Sequence, residues 1–553
     1  MEAEERIKKD RNTPFMKNVL MLMFSSGLIK LLGFVYKFLI VNVEGFGNTG
    51  NGYYNTGYQI YAALLTLSSV GIPTVISKLV SERVAIGDYK SANKIFKVAF
   101  QLFAIIGTFF SLVLFFGAEF ISSKILNVPD VKYVLKVLAP AIAFVAMGAV
   151  LRGYFEGLGN MKATSINQTL EQFLNCVLTI TFVYSLVGKD TAIMAAGGNL
   201  STTLAIIIAF LYLVILYLHR KKGMNKLCDK QEVQTEYKSV KNTIKIVLSL
   251  AIPMMLGSLF SIIHSLIDTI TISNCVQQAY EGIILTKEAL EDKAMELSGT
   301  LAKVETLMHL PTAITVAFCT ALVPAISTAI AKKEMDIVKK RLSFSIFATM
   351  LIILPSAAGM IFLAKPILQM LYPAASNGAL LLQLSTITMI CVSINYVING
   401  GLYGLGKIHV PVIALAIGGI LKLILNLVLI SNPNINIYGA TISSNVCQII
   451  AVTICAWYLN KHIKLNVNIV KCFIKPAISA FIMGIVVYFS HKLMVEGLGN
   501  TITTVSSIGI GVITYAIMIL VTKNLSKEDL YMIPFGTKLY KILVKVGLYK
   551  ECD

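Results

Sequence analysis

The sequence predicts an all-helical integral membrane protein of about fourteen spans, built as two parallel six-helix repeats with two further helices after them. Three observations predict it. The 553 residues are 56% hydrophobic and 14% charged, with a mean hydropathy of +0.74, a composition of membrane proteins. The apolar residues come in runs near the ~20 that a helix needs to cross a bilayer, where each backbone group must be satisfied within its own segment. Three short motifs also recur, in the same order, in two halves of the chain.

The first span, Val19–Val43, holds Ser26, Lys30, Gly33, Tyr36 and Lys37. Tyr58–Val80 ends in Gly71-Ile-Pro-Thr-Val-Ile-Ser-Lys78, where Pro73 removes a backbone donor. Ile95–Gly117 and Val131–Leu151 are plain apolar runs, the second leading into Gly153-Tyr-Phe-Glu-Gly-Leu-Gly159. Ala163–Val187 carries Glu171, and Ala192–Leu218 opens on Ala196-Gly-Gly-Asn-Leu-Ser-Thr202. A basic connection, 219–243, closes this first lobe, 1–218. The second lobe, 244–460, comprises Ile244–Ile272 with His264 and Asp268, Leu301–Ile330 with Glu305 and His309, Leu342–Leu363, Ala379–Ile398, Val410–Ile430 with Lys422, and Tyr438–Leu459. Phe473–Phe489 and Thr501–Val521 complete the spans within 461–553.

The repeat rests on three pairs. Gly71–Lys78 matches Leu322-Val-Pro-Ala-Ile-Ser-Thr328. Gly153–Gly159 matches Gly400-Gly-Leu-Tyr-Gly-Leu-Gly406. Ala196–Thr202 matches Tyr438-Gly-Ala-Thr-Ile-Ser-Ser444. Six helices return the chain to its starting side, so the repeats are parallel, related by an axis along the membrane normal.

The net charge of +19 does not indicate nucleic acid, because Lys and Arg gather in short loops such as His219–Lys222 and Lys332–Arg341. By the positive-inside rule those loops, and with them both termini, are cytoplasmic. The outer loop Asn42–Asn55 has no Lys or Arg. The acidic outer loop Cys275–Thr300 is expected to be a solvated face. The tail Lys538–Tyr549 has Lys538, Lys541 and Lys545 on one side, the pattern of a helix lying on anionic inner-leaflet lipid. No signal-peptidase site follows the first run, which is expected to be an uncleaved anchor. The nine Cys show no metal-ligand spacing, so neither a metal site nor a disulfide framework is expected.

No GxxxxGK[ST] motif and no Ser/His/Asp arrangement is present, so the residues point to transport rather than to an enzyme. The drive is then an ion gradient (Na⁺ or H⁺), the membrane potential or the substrate gradient. The chemistry sits in buried polar residues. Ser26, Lys30, Gly33 and Lys37 share one face of the first helix, with Lys30 near mid-membrane. An ammonium there costs about 3 kcal/mol or more. It is either a cation meeting an anionic substrate or half of a structural ion pair. Asp268, one turn from His264, is either a coupling-ion site or a counter-ion, and Glu305 stands with them as a further candidate. Arg152 and Glu156 are spaced to pair as i, i+4.

Gly71–Glu82, Arg152-Gly-Tyr-Phe-Glu-Gly157 and Ile166-Asn-Gln-Thr-Leu-Glu-Gln172 together resemble the stage V sporulation protein B branch of the polysaccharide-transporter family. That branch is related to the Firmicute lipid II flippases, in the multidrug/oligosaccharidyl-lipid/polysaccharide exporter superfamily. The resemblance implies two MATE-like lobes and a flippase for an undecaprenyl-diphosphate-linked cell-wall precursor, serving peptidoglycan or spore cortex synthesis. It implies a bacterial cytoplasmic membrane location and cell-wall synthases as neighbours. In the lipid II flippases the first helix carries two cavity cations. Lys30 matches the first, and the second falls at Tyr36, beside Lys37. Other cavity arginines of the flippases fall near Leu65 and near Thr306, neither cationic here, and an arginine common in the sporulation branch is Asn175. The rival readings are a multidrug or cation antiporter of the same fold, which calls for an acidic cavity, and a non-transporting scaffold for wall synthesis, which needs no buried lysine.

Overall fold

In a computed structural model the chain is helical with no strand among the described residues, which are 15–231, 239–284, 286–465, 467–522 and 524–525. The helices are α1 (Phe15–Val41), α2 (Gly47–Ser69), α3 (Ile72–Ala85), α4 (Tyr89–Phe120), α5 (Val131–Gly157), α6 (Met161–Ser185), α7 (Thr191–Asp229), α8 (Val240–Tyr280) and α9 (Lys287–Ala331). They continue as α10 (Met335–Phe362), α11 (Ala364–Leu371), α12 (Ala379–Gly404), α13 (His409–Leu429), α14 (Ile437–Ile463) and α15 (Lys475–Val521). Every expected span but the second falls on one of them, the last two on the halves of α15, which breaks at Gly499 (φ 72°). The chain is an all-α, multi-pass membrane protein. The basic tail Lys538–Tyr549 lies outside the described residues.

Two boundaries differ from expectation. The outer loop Asn42–Asn55 is helical from Gly47. Its Gly, Asn and Thr residues are poor helix formers, but they are small enough to let another backbone lie against them. The second span is also two helices. Val70 is extended and Gly71 adopts φ 83°, a conformation open to glycine, before Pro73 restarts the helix at its first turn.

The chain divides into two compact units, Met1–Ala302 and Lys303–Asp553. The division falls inside α9, so α8 and the start of α9 belong with α1–α7. In the first unit α5 is central, packed by α2, α3, α4 and α7, while α1 lies along α6. Its core includes Ile72, Ile76, Phe103 and Phe155. In the second unit α14 packs on α12 and α13, and α10 on α12 and α15, around Ile326, Leu342 and Leu402.

The sequence repeat reappears as repeated hydrogen bonds, each within its own unit. At the end of α5 the amides of Leu158, Gly159 and Asn160 donate to the carbonyls of Tyr154 (3.1 Å), Glu156 (2.9 Å) and Phe155 (2.8 Å). At the end of α12 those of Leu405, Gly406 and Lys407 donate to Gly401 (3.1 Å), Tyr403 (2.9 Å) and Leu402 (2.8 Å). Gly159 and Gly406 hold φ of 82° and 73°, as this left-handed cap requires. Ser201 donates to Asn175 and Gly198, and Ser443 to Asn426 and Ala440. A Cβ on Gly157 would strike Val80, and one on Gly404 would strike Ile326. The glycine motif thus seats α5 on α3, and α12 on α9, by the same device.

Candidate functional site

The α1 helix is pinned to α6 along one face. Ser25 bonds the Ser165 carbonyl (3.1 Å) and the hydroxyls of Thr169 and Ser165 (both 2.7 Å). Two turns on, Gly33 lies beside the Gln172 amide, and Tyr36 and Ile40 are buried. Lys30 and Lys37 stand on the flank of that face, ~10 Å apart along the axis. Lys30 is exposed in the middle of α1, ~22 Å from its start, while Lys37 is half-buried near the other end. The structure therefore brings the two lysines onto one flank. Ser26 falls on the same stretch of helix, and its side chain lies outside the described residues.

Tyr36 takes a different place. It is 6% exposed, and its hydroxyl accepts a hydrogen bond from Tyr54 at 3.4 Å. Behind Tyr54 lies a polar knot joining α6 and α7. The Asn175 side-chain oxygen accepts from Thr179 (3.1 Å), Ser201 (3.0 Å) and Thr202 (3.1 Å). In lipid such hydroxyls need partners, and one amide oxygen gathers three of them. Asn175 with Thr179 one turn later, facing Ser201-Thr202, was the available sequence signal for this knot.

Arg152 does not depend on the i, i+4 spacing to Glu156. Its guanidinium lies 4.0 Å from the Glu171 carboxylate and 3.5 Å from the Asn167 oxygen. Asn167 in turn donates to the Ala209 carbonyl at 2.8 Å, so one arginine ties α5 to α6 and through it to α7. Asp268 is 7% exposed on α8, with His264 half-buried one turn earlier; both are engaged in polar interactions. Glu305, in the second unit, is half-buried on α9 and likewise engaged. Among the described residues no three His, Cys, Asp or Glu side chains are placed to hold a metal ion.

At one end of the first unit, the start of α9 lies backbone-to-backbone on α2. A Cβ at Gly52 would overlap the Met295 carbonyl, and one at Gly299 the Asn48 carbonyl. Asn51 donates to the Gly299 carbonyl at 2.7 Å, Thr56 and Ser298 share a 3.3 Å hydrogen bond, and Tyr53 donates to Asp292 at 3.2 Å. Beside this seam Gln277 and Asn127 bond reciprocally, at 3.1 and 2.9 Å. The segment expected to be a solvated acidic face is therefore part of a packed joint, with Ala294 and Met295 fully buried. Gly299 lies 248 residues from Asn51, a separation that leaves no periodic mark, which is why the sequence concealed the joint. Burial pushes the Asp292 carboxyl above the usual carboxylate range, against the lowering effect of the Tyr53 hydrogen bond; Asp190, Glu288 and Asp130 push it further. Glu291 is raised by burial too, with Lys287 pulling the other way.

Among the described residues of the second unit, Lys303 and Lys422 are fully buried. Lys303 donates to the Ala375 carbonyl and to Asn377 (3.3 Å), with its ammonium 5.3 Å over the Tyr372 ring. It thereby ties the Pro373–Ala375 turn to α9. Lys422 is 0% exposed on α13, one turn before Asn426.

A sequence model described as "Polysaccharide biosynthesis protein" matches residues 15–330, more than half of the chain. The chain belongs to the polysaccharide biosynthesis protein family. This family member is 24% identical over 527 residues to stage V sporulation protein B of Bacillus subtilis (strain 168), an alignment covering 95% of this chain and 98% of that one. It is 25% identical over 436 residues to the lipid II flippase MurJ of the same organism, covering 76% and 78%. Among solved structures, MurJ in an inward closed conformation matches with TM-score 0.66 at 16% identity, over 91% of this chain and 98% of that one. An inward-facing multidrug resistance MATE transporter matches with TM-score 0.64 at 12% identity, over 79% and 94%. These likenesses establish the MurJ/MATE-like fold of this polysaccharide biosynthesis protein.

Proposed function

We propose that the protein moves an undecaprenyl-diphosphate-linked cell-wall precursor, of the lipid II kind, from the inner to the outer leaflet by alternating access. The observation that carries this reading is Lys30, a lysine exposed at mid-helix on α1 and sharing a flank with Lys37. A sugar head and diphosphate crossing lipid unaided would meet a far larger cost than the ~3 kcal/mol of holding an ammonium in the membrane. Lysines contact a diphosphate as point charges, without the fixed fork of arginine. Family membership and the names of the relatives support the same substrate class. In this reading the α2–α9 seam is the outer closure that parts to release the substrate, and Asp268 with His264 is the site where an ion gradient acts. In the same reading the N- and C-termini are cytoplasmic, an orientation that the bias of Lys and Arg among the loops supports.

The test is purified protein in vesicles with labelled lipid II, scored for the fraction of lipid reaching the opposite leaflet. Acceleration well above protein-free vesicles is expected. A protein that extrudes organic cations and leaves the lipid in place would be the antiporter instead. One that moves neither would fit the scaffold.

A further inference from the structure

An apolar groove with a basic rim lies in the second unit, and the transport reading makes no use of it. Ile346 of α10, Ile394 and Ile398 of α12, Val452 and Trp457 of α14, and Phe473 line it, enclosing about 430 Å³. Trp457 is the only tryptophan in the chain and is 63% exposed. An exposed indole near the end of a spanning helix marks headgroup depth. The rim is cationic. The Lys461 ammonium lies 5.4 Å over the Trp457 ring, and that of Lys471 lies 5.1 Å over the ring of Phe347, next to Ile346. Lys464, exposed, ends α14 in a left-handed turn (φ 51°). No Asp or Glu occurs between Cys455 and Lys475.

We infer that this groove is a binding site for an anionic phospholipid of the inner leaflet, with an acyl chain between α10, α12 and α14 and the phosphate at Lys461, Lys464 and Lys471. An apolar slot open to the bilayer takes a chain, and ammonium groups at headgroup depth select a negative head. A zwitterionic lipid fills the slot equally well but gains less from the rim. The site is independent of the transported substrate.

The single tryptophan makes the site its own reporter. The full-length protein is placed in nanodiscs doped with phospholipid brominated on its acyl chain, either phosphatidylglycerol or phosphatidylcholine, and Trp457 fluorescence is followed. Half-maximal quenching is expected at an about five- to tenfold lower mole fraction of the anionic lipid. That preference should shrink as ionic strength rises. In a Lys461→Gln, Lys464→Gln, Lys471→Gln variant the two curves should coincide, while an unchanged melting temperature checks folding. Coincident curves for the native protein overturn the proposal, and so does a salt-insensitive preference. Quenching relieved by undecaprenyl diphosphate but not by unbrominated phosphatidylglycerol would give the groove to the transported lipid and overturn it as well.

Discussion

The Asn51 side chain donates a 2.7 Å hydrogen bond to the carbonyl of Gly299, 248 residues further along the chain. The bond lies in a joint so close that neither Gly52 nor Gly299 has room for a methyl group. Packing of this kind is all-or-none, since backbone atoms cannot yield as a flexible side chain does. Gly299→Leu should therefore hold the joint apart, at a cost of about 1–3 kcal/mol to the closed form. A Ser298→Cys reporter labelled with an impermeant maleimide should react several-fold faster in the Gly299→Leu background. Unchanged labelling would mean that the seam does not limit access.

The same joint should respond to external pH. The Asp292 carboxyl is raised while the seam is closed, and exposure on opening returns it toward the ordinary value, so protonation favours closure. That stabilisation is complete below the ordinary carboxylate pKa and is lost as pH climbs through the raised one. Labelling of Ser298→Cys, corrected for the ionisation of the thiol itself, should accordingly be lowest below the ordinary carboxylate range and increase as pH climbs through the raised value, and Asp292→Asn should flatten the corrected curve at its low-labelling end. An Asp292→Asn profile identical to that of the native carboxyl would remove Asp292 as the titrating group.

Lys30 should be the most sensitive position for transport. Lys30→Ala is expected to insert normally, since removing the charge eases insertion by about 3 kcal/mol, and to lose flipping. Lys30→Arg should keep part of the rate because charge persists in a different donor geometry. Flipping and melting temperature are read on the same preparations. A Lys30→Ala protein that flips at the native rate sinks the substrate site.

Arg152 should matter for stability more than for transport. Removing its guanidinium leaves Glu171 and Asn167 without their partner, a loss of about 1–3 kcal/mol. Arg152→Met should lower the melting temperature, and Arg152→Met with Glu171→Gln should recover part of the loss. No recovery in the double variant would show that the two side chains are not coupled.

Asp268→Asn should impair transport while the protein stays folded. Flipping rates compared across a pH and Na⁺ series check this. Native rates throughout would leave Asp268 a purely structural acid.

The helices were legible because lipid forces apolar runs into helices, and the repeat was legible because its glycines serve backbone geometry. Gly159 and Gly406 announce the same cap in both halves. Lys30 could be placed on the flank of α1 by periodicity alone. Less could be read wherever the decisive partner is distant. Arg152 has an acid one turn away at Glu156, yet it lies against Glu171, because the α5–α6 packing sets its reach. Tyr36 sits one residue from Lys37 and yet faces inward to Tyr54, since a step of one residue turns a helix by ~100°. Lys303 stands in no motif, and only the fold brings it under the turn at Pro373–Ala375.

The break at Gly71 gives the second membrane crossing two separately held rods. The first rod, α2, is clasped by Met295 and Gly299, and the second rod, α3, is wedged under Gly153 and Gly157. A continuous helix would transmit any tilt at one surface to the other as a rigid lever. A crossing broken along its length can let the first rod swing while the second keeps its wedge. The order in which the two faces of the membrane are sealed and unsealed is then set by two local equilibria, each open to separate adjustment by mutation, pH or cargo.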